Sequence, residues 1–285
     1  MRVALAELAP APRDVARNTT RAATIAGAVD AELVVFPELF LSGYALGDHF
    51  HRVALDVATL TGHPLAGVAR TRARTIVVGA PIRRPERPGE VENAAIVFDP
   101  AGGVAVQGKR YLPTFGPFDE GAAFTPAPSS VPIGPPGAAL GVSICYDAFF
   151  PEVAGDLAIG GAHLLVVLSA APVTSRSLFE KVLPARAVEN ALPVVYVNRV
   201  GVEHGLVFGG GSGAWDARGE PLPIARQSLN GLGPDEWVGL VEIDTTEPAR
   251  WRPFRPTVRD RRAAGRGPSL GDTGDPGDRS SRPSN

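Results

Sequence analysis

The chain has 285 residues, of which 44% are hydrophobic, and its formal net charge at neutral pH is −2. A chain of this size can bury the core of one large α/β domain, and its charge predicts no electrostatic attraction to nucleic acid or to an anionic membrane. No apolar run is long enough to span a bilayer, and the N-terminus lacks the pattern of a signal peptide, so we expect a cytoplasmic protein.

Hydrophobic periodicity predicts strands and helices in alternation along the first 258 residues. The predicted strands cover residues 2–8, 33–36, 75–82, 92–98, 104–109, 139–144, 163–168, 193–200, 206–216 and 237–243. The strands over 92–98 and 104–109 are expected to pair antiparallel around a turn at 99–103. The predicted helices cover residues 13–31, 53–74, 151–160 and 177–190, and Pro184 is expected to kink the last of them. Strands mixed with helices around apolar runs predict a layered α/β sandwich.

The composition changes near residue 259, where Gly, Ser, Pro, Asp and Arg replace almost all hydrophobic residues. Such a composition cannot bury enough apolar surface to order a chain. We therefore predict one domain over residues 1–258 and a disordered or extended C-terminal tail over residues 259–285.

Cysteine and lysine are unusually scarce in this chain. Cys145 is the only cysteine, so an intramolecular disulfide and a cysteine-based zinc site are both excluded. The five histidines are scattered, and the close pair His49 and His51 has no obvious third ligand beside it, so no metal site is predicted. Lys109 and Lys181 are the only lysines among basic residues that are otherwise arginine, which makes each of them worth attention.

Three apolar strands end in a residue with useful chemistry, namely Glu38, Lys109 and Cys145. Taken singly, they have common structural explanations: a carboxylate in a salt bridge, a solvated surface lysine and an inert buried thiol. Together they form a complete nucleophilic set, in which the carboxylate takes the thiol proton, the thiolate attacks a carbonyl and the lysine stabilises the oxyanion. Because sites collect at strand ends in layered α/β folds, we expect the three ends to converge on one sheet edge.

Three segments resemble the signature blocks of the nitrilase superfamily of carbon–nitrogen hydrolases, and they occur in that family's order. They are FPELFLSGY at 36–44, GKRYLPTFGPFDE at 108–120 and GVSICYDAFFPE at 141–152. Further matches are RAVEN at 186–190, Val197-Asn198 and the glycine-rich segment that ends at Ser212. The resemblance covers about residues 1 to 255 and omits the tail.

This resemblance implies a four-layer αββα sandwich and a homodimer or a higher homo-oligomer. It implies that Glu38 is the general base, Lys109 the cation on the oxyanion side and Cys145 the nucleophile. Glu120 matches a second glutamate that contacts the lysine and helps to place the substrate, and the backbone N–H of Tyr146 would complete the oxyanion hole. The mechanism requires neither a metal nor an organic cofactor.

Substrate choice is expected to lie in loops near these residues. The candidate substrate-binding residues are Tyr44, Phe115, Tyr146, Phe149, Ala170 and Arg176. The aromatic side chains could line an apolar pocket or pack beneath long loops. Arg176 could bind a substrate carboxylate or be an ordinary exposed arginine.

Within the superfamily the match is mixed. Residues 41–44, 111–120 and 196–201 resemble the glutaminase domain of glutamine-dependent NAD synthetases, whereas residues 145–147 and 150–152 resemble free-standing amidases and carbamoyl-amide hydrolases. The sequence contains no Gly-Lys-Ser/Thr phosphate loop, so we expect no ATP-using synthetase domain. We predict hydrolysis of a small-molecule amide through a cysteine thioester, releasing ammonia or an amine. The alternatives are an N-carbamoyl amide hydrolase, a glutaminase subunit that supplies ammonia to a partner, and a non-catalytic binding protein.

Overall fold

The computed structural model describes residues 1–135 and 137–265. The strands are β1 (Arg2–Glu7), β2 (Leu33–Val35), β3 (Leu55–Asp56), β4 (Thr75–Arg83), β5 (Glu92–Phe98), β6 (Val104–Gly108), β7 (Leu140–Ile144), β8 (Leu164–Ser169), β9 (Val194–Asn198), β10 (Val200–Glu203), β11 (Leu206–Gly209), β12 (Gly213–Trp215), β13 (Ala225–Gln227) and β14 (Trp237–Glu242). The α-helices are α1 (Val15–Ala28), α2 (Phe50–Val53), α3 (Pro64–Thr71), α4 (Glu120–Ala123), α5 (Pro151–Ile159), α6 (Arg176–Asn190), α7 (Glu247–Trp251) and α8 (Thr257–Ala264). Short 3₁₀ helices cover Gly47–His49, Val57–Gly62, Cys145–Phe149 and Val173–Ser175.

Two sheets form the centre of the molecule. The first has the order β13-β14-β1-β2-β4-β5-β6, with β3 beside β4, and the second has the order β12-β9-β8-β7. The pairs β1–β2, β2–β4, β3–β4, β7–β8 and β8–β9 are parallel, whereas the pairs β1–β14, β13–β14, β4–β5, β5–β6 and β9–β12 are antiparallel. Strands β10 and β11 form a separate hairpin. The predicted pairing of residues 92–98 with 104–109 is confirmed as β5 with β6.

Alternation of side chains along the strands builds four layers. In β1, Val3 and Leu5 point into the core between the two sheets, and Ala4 and Ala6 point to the core beneath α1 and α3. On the outer face of the second sheet, α5, α6 and α8 cover a third core. The predicted αββα sandwich is therefore confirmed.

The predicted helix over residues 53–74 is wrong, because this stretch is broken into α2, β3, a 3₁₀ helix and α3. Pro64 disfavours helical backbone at the residue before it, and His63 accordingly has an extended ψ of 143°. The His63 side chain then accepts the backbone N–H of Leu65 at 3.3 Å and caps α3, so the break is built into the sequence.

The predicted tail differs from the structure at its start, because residues 259–264 belong to α8. Val258 is buried against α5 and α6, and the Arg261 guanidinium donates to Asn190 Oδ1 at 2.7 Å. A single apolar anchor and arginine contacts therefore hold a helix that composition alone disfavours. The rest of the predicted tail, residues 266–285, lies outside the described residues.

Within the described ranges, no helix is both long enough and apolar enough to cross a membrane.

Gly79 on β4 lets the turn that carries Glu38 lie directly against the first sheet. The Gly79 N–H donates to the Pro37 carbonyl and the Gly79 carbonyl accepts from the Leu41 N–H, both at 3.1 Å. A Cβ atom at position 79 would stand 2.6 Å from the Glu38 Cα atom. The absence of a side chain here is what allows the close approach of the two backbones.

Gly79→Ala is expected to lower the free energy of unfolding by about 1–3 kcal/mol, because the new methyl group meets backbone and not a movable side chain. It should also slow the amide hydrolysis expected from the sequence, because Glu38 is displaced. Denaturant unfolding and a rate assay would measure the two effects. Gly67→Ala is the matched control, since it lies in α3 with nothing within 4 Å of the added Cβ. Equal stability of Gly79→Ala and wild type would contradict the argument.

Candidate active site

The three predicted strand ends do meet, but they come from two sheets. Glu38 and Lys109 follow β2 and β6 of the first sheet, and Cys145 follows β7 of the second. Ser169 Oγ lies 3.2 Å from Cys145 Sγ, and the next residue, Ala170, donates its N–H to Glu38 at 2.7 Å. Glu38 in turn lies 2.7 Å from Lys109 Nζ, so the three groups share one site. The expectation of a single shared sheet edge is therefore wrong, because face-to-face packing of the two sheets brings the ends together.

The Glu38 carboxylate is held by three donors. Its Oε1 atom accepts from Asn93 Nδ2 and from Lys109 Nζ, each at 2.7 Å, and its Oε2 atom accepts the backbone N–H of Ala170 at 2.7 Å. The side chain is 1% exposed. A buried carboxylate with this many donors has a fixed position, which a general base requires.

Lys109 is fully buried between two carboxylates. Its Nζ atom lies 2.7 Å from Glu38 Oε1 and 2.7 Å from Glu120 Oε1. Burial by itself lowers the pKa of the ammonium, but Glu120 and Glu38 raise it by more, so the net pKa of Lys109 lies above its ordinary value. Lys109 is therefore a permanent cation at the site.

Glu120, at the start of α4, completes this charged group. Its Oε1 atom also accepts the Tyr44 hydroxyl at 2.7 Å. Burial raises the pKa of Glu120, and the neighbouring Lys109 opposes that rise. The predicted contact between the second glutamate and the lysine is present in the structure.

Cys145 has an uncommon backbone conformation at the junction of β7 with a 3₁₀ helix. Its φ is +48°, in the left-handed region that non-glycine residues rarely adopt, and the residue as a whole is partly exposed. Burial of the sulfur and the charge of Glu38 raise the pKa of the thiol, while Lys109 and a hydrogen bond from Ser169 lower it, with a net rise. The resting group is a thiol that needs a base.

Three polar residues at the site escaped the sequence reasoning. The side-chain amide of Asn93 donates to Glu38, and its main-chain carbonyl accepts the Lys109 backbone N–H at 2.8 Å, so Asn93 joins the two. Ser169 Oγ donates to Cys145 Sγ at 3.2 Å, and the Tyr196 hydroxyl donates to Ser169 Oγ at 3.2 Å. Each lies in or at the end of an apolar, fully buried strand, and a polar residue in such a strand was the available signal.

A cavity of about 200 Å³ opens beside Cys145. Its lining is uncharged and mostly aromatic or aliphatic, and comprises Tyr44, Pro113, Phe115, Phe118, Cys145, Tyr146, Phe149, Ala170, Ala171, Pro172, Ser175, Leu178 and Phe179. Five of the six candidate substrate-binding residues thus line the cavity. Of these, Tyr44 donates its hydroxyl to Glu120 and Ala170 donates its backbone N–H to Glu38. The two residues therefore connect the cavity wall to the charged group.

Arg176 is the candidate that the structure leaves outside the cavity lining. It begins α6, its side chain is 54% exposed, and its Nε atom pairs with Glu180 Oε1 at 3.1 Å. The expectation that Arg176 could meet a substrate carboxylate is therefore not met by this geometry. Among the residues the structure describes, no group of three or more His, Cys, Asp or Glu side chains is placed to hold a metal ion.

Asp147 ties the lysine segment to the cysteine segment. Its buried carboxylate accepts the backbone N–H groups of Tyr111 at 2.9 Å, Arg110 at 3.1 Å and Ile144 at 3.2 Å. Burial raises the pKa of Asp147 to about 6, against the lowering effects of Lys109 and these N–H donors. Since Arg110 follows Lys109 and Ile144 precedes Cys145, the carboxylate sets the spacing of the two functional groups.

Activity is expected to fall as the pH drops through about 6, because protonation removes the Asp147 charge that accepts these N–H bonds. Asp147→Asn is neutral at every pH. It should lower kcat/KM above pH 6 on the order of tenfold through misplacement of the two groups, and should lack this part of the acid decline. The pH profile of kcat/KM measures both effects, and an acid limb identical to that of wild type would remove Asp147 from this role.

The sequence pattern of the carbon–nitrogen hydrolase family matches residues 2–253 of this chain. An (R)-stereoselective amidase from Pseudomonas sp. is 33% identical over 268 residues, which cover 92% of this chain and 92% of that protein. A glutamine-dependent NAD(+) synthetase from Rhodobacter capsulatus is 33% identical over 216 residues, which cover 74% of this chain and 39% of the synthetase. The chain therefore spans about two fifths of that synthetase.

The fold is also similar to that of a solved amidase. A mutant of the amidase from Nesterenkonia sp. AN1, which carries the product of Michael addition of acrylamide at its active-site cysteine, superposes with a TM-score of 0.74. The two are 32% identical, and the match covers 93% of this chain and 97% of that one. The present chain thus belongs to the carbon–nitrogen hydrolase family of the nitrilase superfamily and is an amide hydrolase with a cysteine nucleophile.

Proposed function

We propose that this enzyme hydrolyses small neutral amides with an apolar acyl group, with Cys145 as nucleophile, Glu38 as general base and Lys109 as the cation that meets the oxyanion. The observation that carries the proposal is the fully buried Lys109, 2.7 Å from both Glu38 and Glu120. These carboxylates are bound by Tyr44 and Ala170, which line the same uncharged cavity as the only cysteine. These are the groups that a nucleophilic acyl transfer needs.

The first half of the reaction forms a thioester. Glu38 accepts the Cys145 proton, and the sulfur forms a bond to the amide carbon while the carbonyl electron pair moves to oxygen. The Lys109 ammonium and the Tyr146 backbone N–H stabilise that oxygen. Two of the three Lys109 N–H donors are bound by carboxylates in the described chain, which leaves one for the substrate. Protonated Glu38 then gives its proton to nitrogen, and the C–N bond breaks to release ammonia or an amine.

The second half releases the acid. Glu38 takes a proton from water, and the resulting hydroxide adds to the thioester carbon. Collapse of this intermediate breaks the C–S bond, and Glu38 returns the proton to the departing sulfur. Glu120, braced by the Tyr44 hydroxyl, keeps Lys109 in place through both halves and helps to place the substrate.

The cavity lining supports an uncharged, apolar acyl group. Phe115, Tyr146 and Phe149 form an aromatic wall with ring centroids 5.3 and 6.0 Å apart, and Leu178 lies at the opening. Glutamine would bring an ammonium and a carboxylate into this lining without charged partners there, which is costly. The free-standing amidase therefore fits better than the glutaminase subunit.

We also propose that the enzyme is a cytoplasmic homodimer or higher homo-oligomer. A free Cys145 thiol suits a reducing compartment. The exposed Val202 and Val207, which face each other across the β10–β11 hairpin, support a self-association surface. Light scattering that gives the mass of one chain would contradict the oligomer, and cell fractionation tests the compartment.

The central test is ammonia release by wild type, Cys145→Ala and Lys109→Arg on a panel of primary amides, N-carbamoyl amines, glutamine and nitriles. Wild type should release ammonia from amides with apolar acyl groups. Both variants should be inactive, because one lacks the nucleophile and the other has a cation of different shape in a fully buried position. Lys181→Arg is the matched control, since Lys181 is the other lysine and is exposed.

Each outcome of this panel separates the candidate functions. Release confined to N-carbamoyl amines or to glutamine would replace the proposal with the corresponding alternative. Full activity of Cys145→Ala would overturn the mechanism, and no release by wild type from any compound would overturn the stand-alone activity.

Leu178→Arg should weaken the preference for apolar acyl groups. This residue lines the cavity and is 49% exposed, so arginine there adds charge at the opening without opening a void in the core. We expect kcat/KM for apolar amides to fall about tenfold relative to amides that carry a carboxylate. Val131→Arg, at a residue that is 60% exposed and outside the cavity lining, is the control. An unchanged ratio of the two kcat/KM values would argue against this cavity as the acyl site.

A further inference from the structure

We infer that Ser169 is a further catalytic residue, whose hydroxyl donates a hydrogen bond to the Cys145 sulfur whenever that sulfur is a thiolate, and that Tyr196 is the positioning residue that orients this hydroxyl. The inference rests on the proposed function, in which Cys145 is the nucleophile. Both residues belong to the second sheet, and the hydrogen bond from Ser169 stabilises the sulfur in a way that Glu38 and Lys109 do not.

The geometry is a chain of two hydrogen bonds that crosses neighbouring strands. Tyr196 on β9 lies 3.2 Å from Ser169 Oγ, and Ser169, the last residue of β8, lies 3.2 Å from Cys145 Sγ just beyond β7. Ser169 is 0% exposed and Tyr196 is 2% exposed. Buried polar groups in a low-dielectric interior hold their hydrogen bonds strongly, so this chain is a fixed feature of the site.

Which group donates in each of these two hydrogen bonds follows from the Tyr196 phenol at one end and the Cys145 sulfur at the other. Burial first, and then the charge of Cys145, raise the pKa of Tyr196 well above its ordinary value, so the phenol keeps its proton. The phenol donates that proton to Ser169 Oγ, which leaves the single serine proton for the sulfur. A thiolate carries no proton of its own, so it can only accept this bond.

The reaction has need of such a donor at sulfur. Burial of the thiol and the negative charge of Glu38 both disfavour the thiolate, and Lys109 offsets them only in part because two carboxylates already bind it. Among the described residues, Ser169 is the one with a hydrogen bond to Sγ. A donor there stabilises the thiolate at two steps. The first is its attack on the amide, and the second is its departure from the intermediate that hydroxide forms with the thioester.

The experiment measures the rate of Cys145 alkylation by iodomethane, an alkylating agent that contains no amide, across neutral and alkaline pH, together with kcat and KM for an amide that wild type hydrolyses. The variants are Ser169→Ala and Tyr196→Phe, each of which removes a hydroxyl and adds no volume. Ser130→Ala is the matched control, because that hydroxyl is buried away from the site and has no hydrogen-bond partner in the described chain.

In Ser169→Ala, alkylation should slow about 10- to 100-fold at neutral pH, with the profile displaced toward higher pH, since a donor to a charged group is lost. The value of kcat should fall by a similar factor while KM stays near that of wild type. Tyr196→Phe should displace the profile in the same direction by a smaller amount, and Ser130→Ala should match wild type.

Alkylation profiles of Ser169→Ala and Tyr196→Phe that coincide with wild type would overturn the inference. If Ser169→Ala does not fold, the Tyr196→Phe profile decides the matter alone. Alkylation does not depend on any amide substrate, so a displaced profile in an enzyme that releases no ammonia would uphold the serine contact while the proposed function fails.

Discussion

The structure depends on one charged contact, the ammonium of Lys109 enclosed between the carboxylates of Glu38 and Glu120. A buried charge is costly unless it is paired and hydrogen-bonded, so each member of this group requires the others. Asn93 and the Ala170 N–H supply the further donors that Glu38 needs, and the Tyr44 hydroxyl supplies one to Glu120. The network therefore binds both sheets and the loops between them at a single point.

The fold supports this network by placing rigid strand ends on two sides of it. The first sheet supplies Glu38 and Lys109, and the second supplies Cys145 with Ser169 beside it. The apolar core between the sheets sets the distance between them, because close packing leaves little freedom to slide. The site is thus an interface inside one domain, which explains why backbone details such as Gly79 and the positive φ of Cys145 matter to it.

The predicted and observed elements agree best where one short segment of sequence contains the structural signal. The strands before Glu38, Lys109 and Cys145, and the hairpin of β5 with β6, follow directly from apolar runs and a turn. The long helix predicted over residues 53–74 is wrong because hydrophobic periodicity does not register the proline at position 64, which disfavours helical backbone at the residue before it. The start of the predicted tail failed because composition does not register one buried valine and the arginine contacts that hold α8.

From local motifs alone, the sequence predicted most of the strands and proposed Glu38, Lys109 and Cys145 as one site, and its resemblance to a known family implied the αββα class. Only the tertiary structure decided that they meet across two sheets, that Arg176 stays outside the cavity, and that Asn93, Ser169 and Tyr196 join the site. The physical reason is that hydrogen-bond partners are chosen by the packing of strands distant in sequence. A polar residue in a buried strand signals that it has a partner, but the packing selects which one.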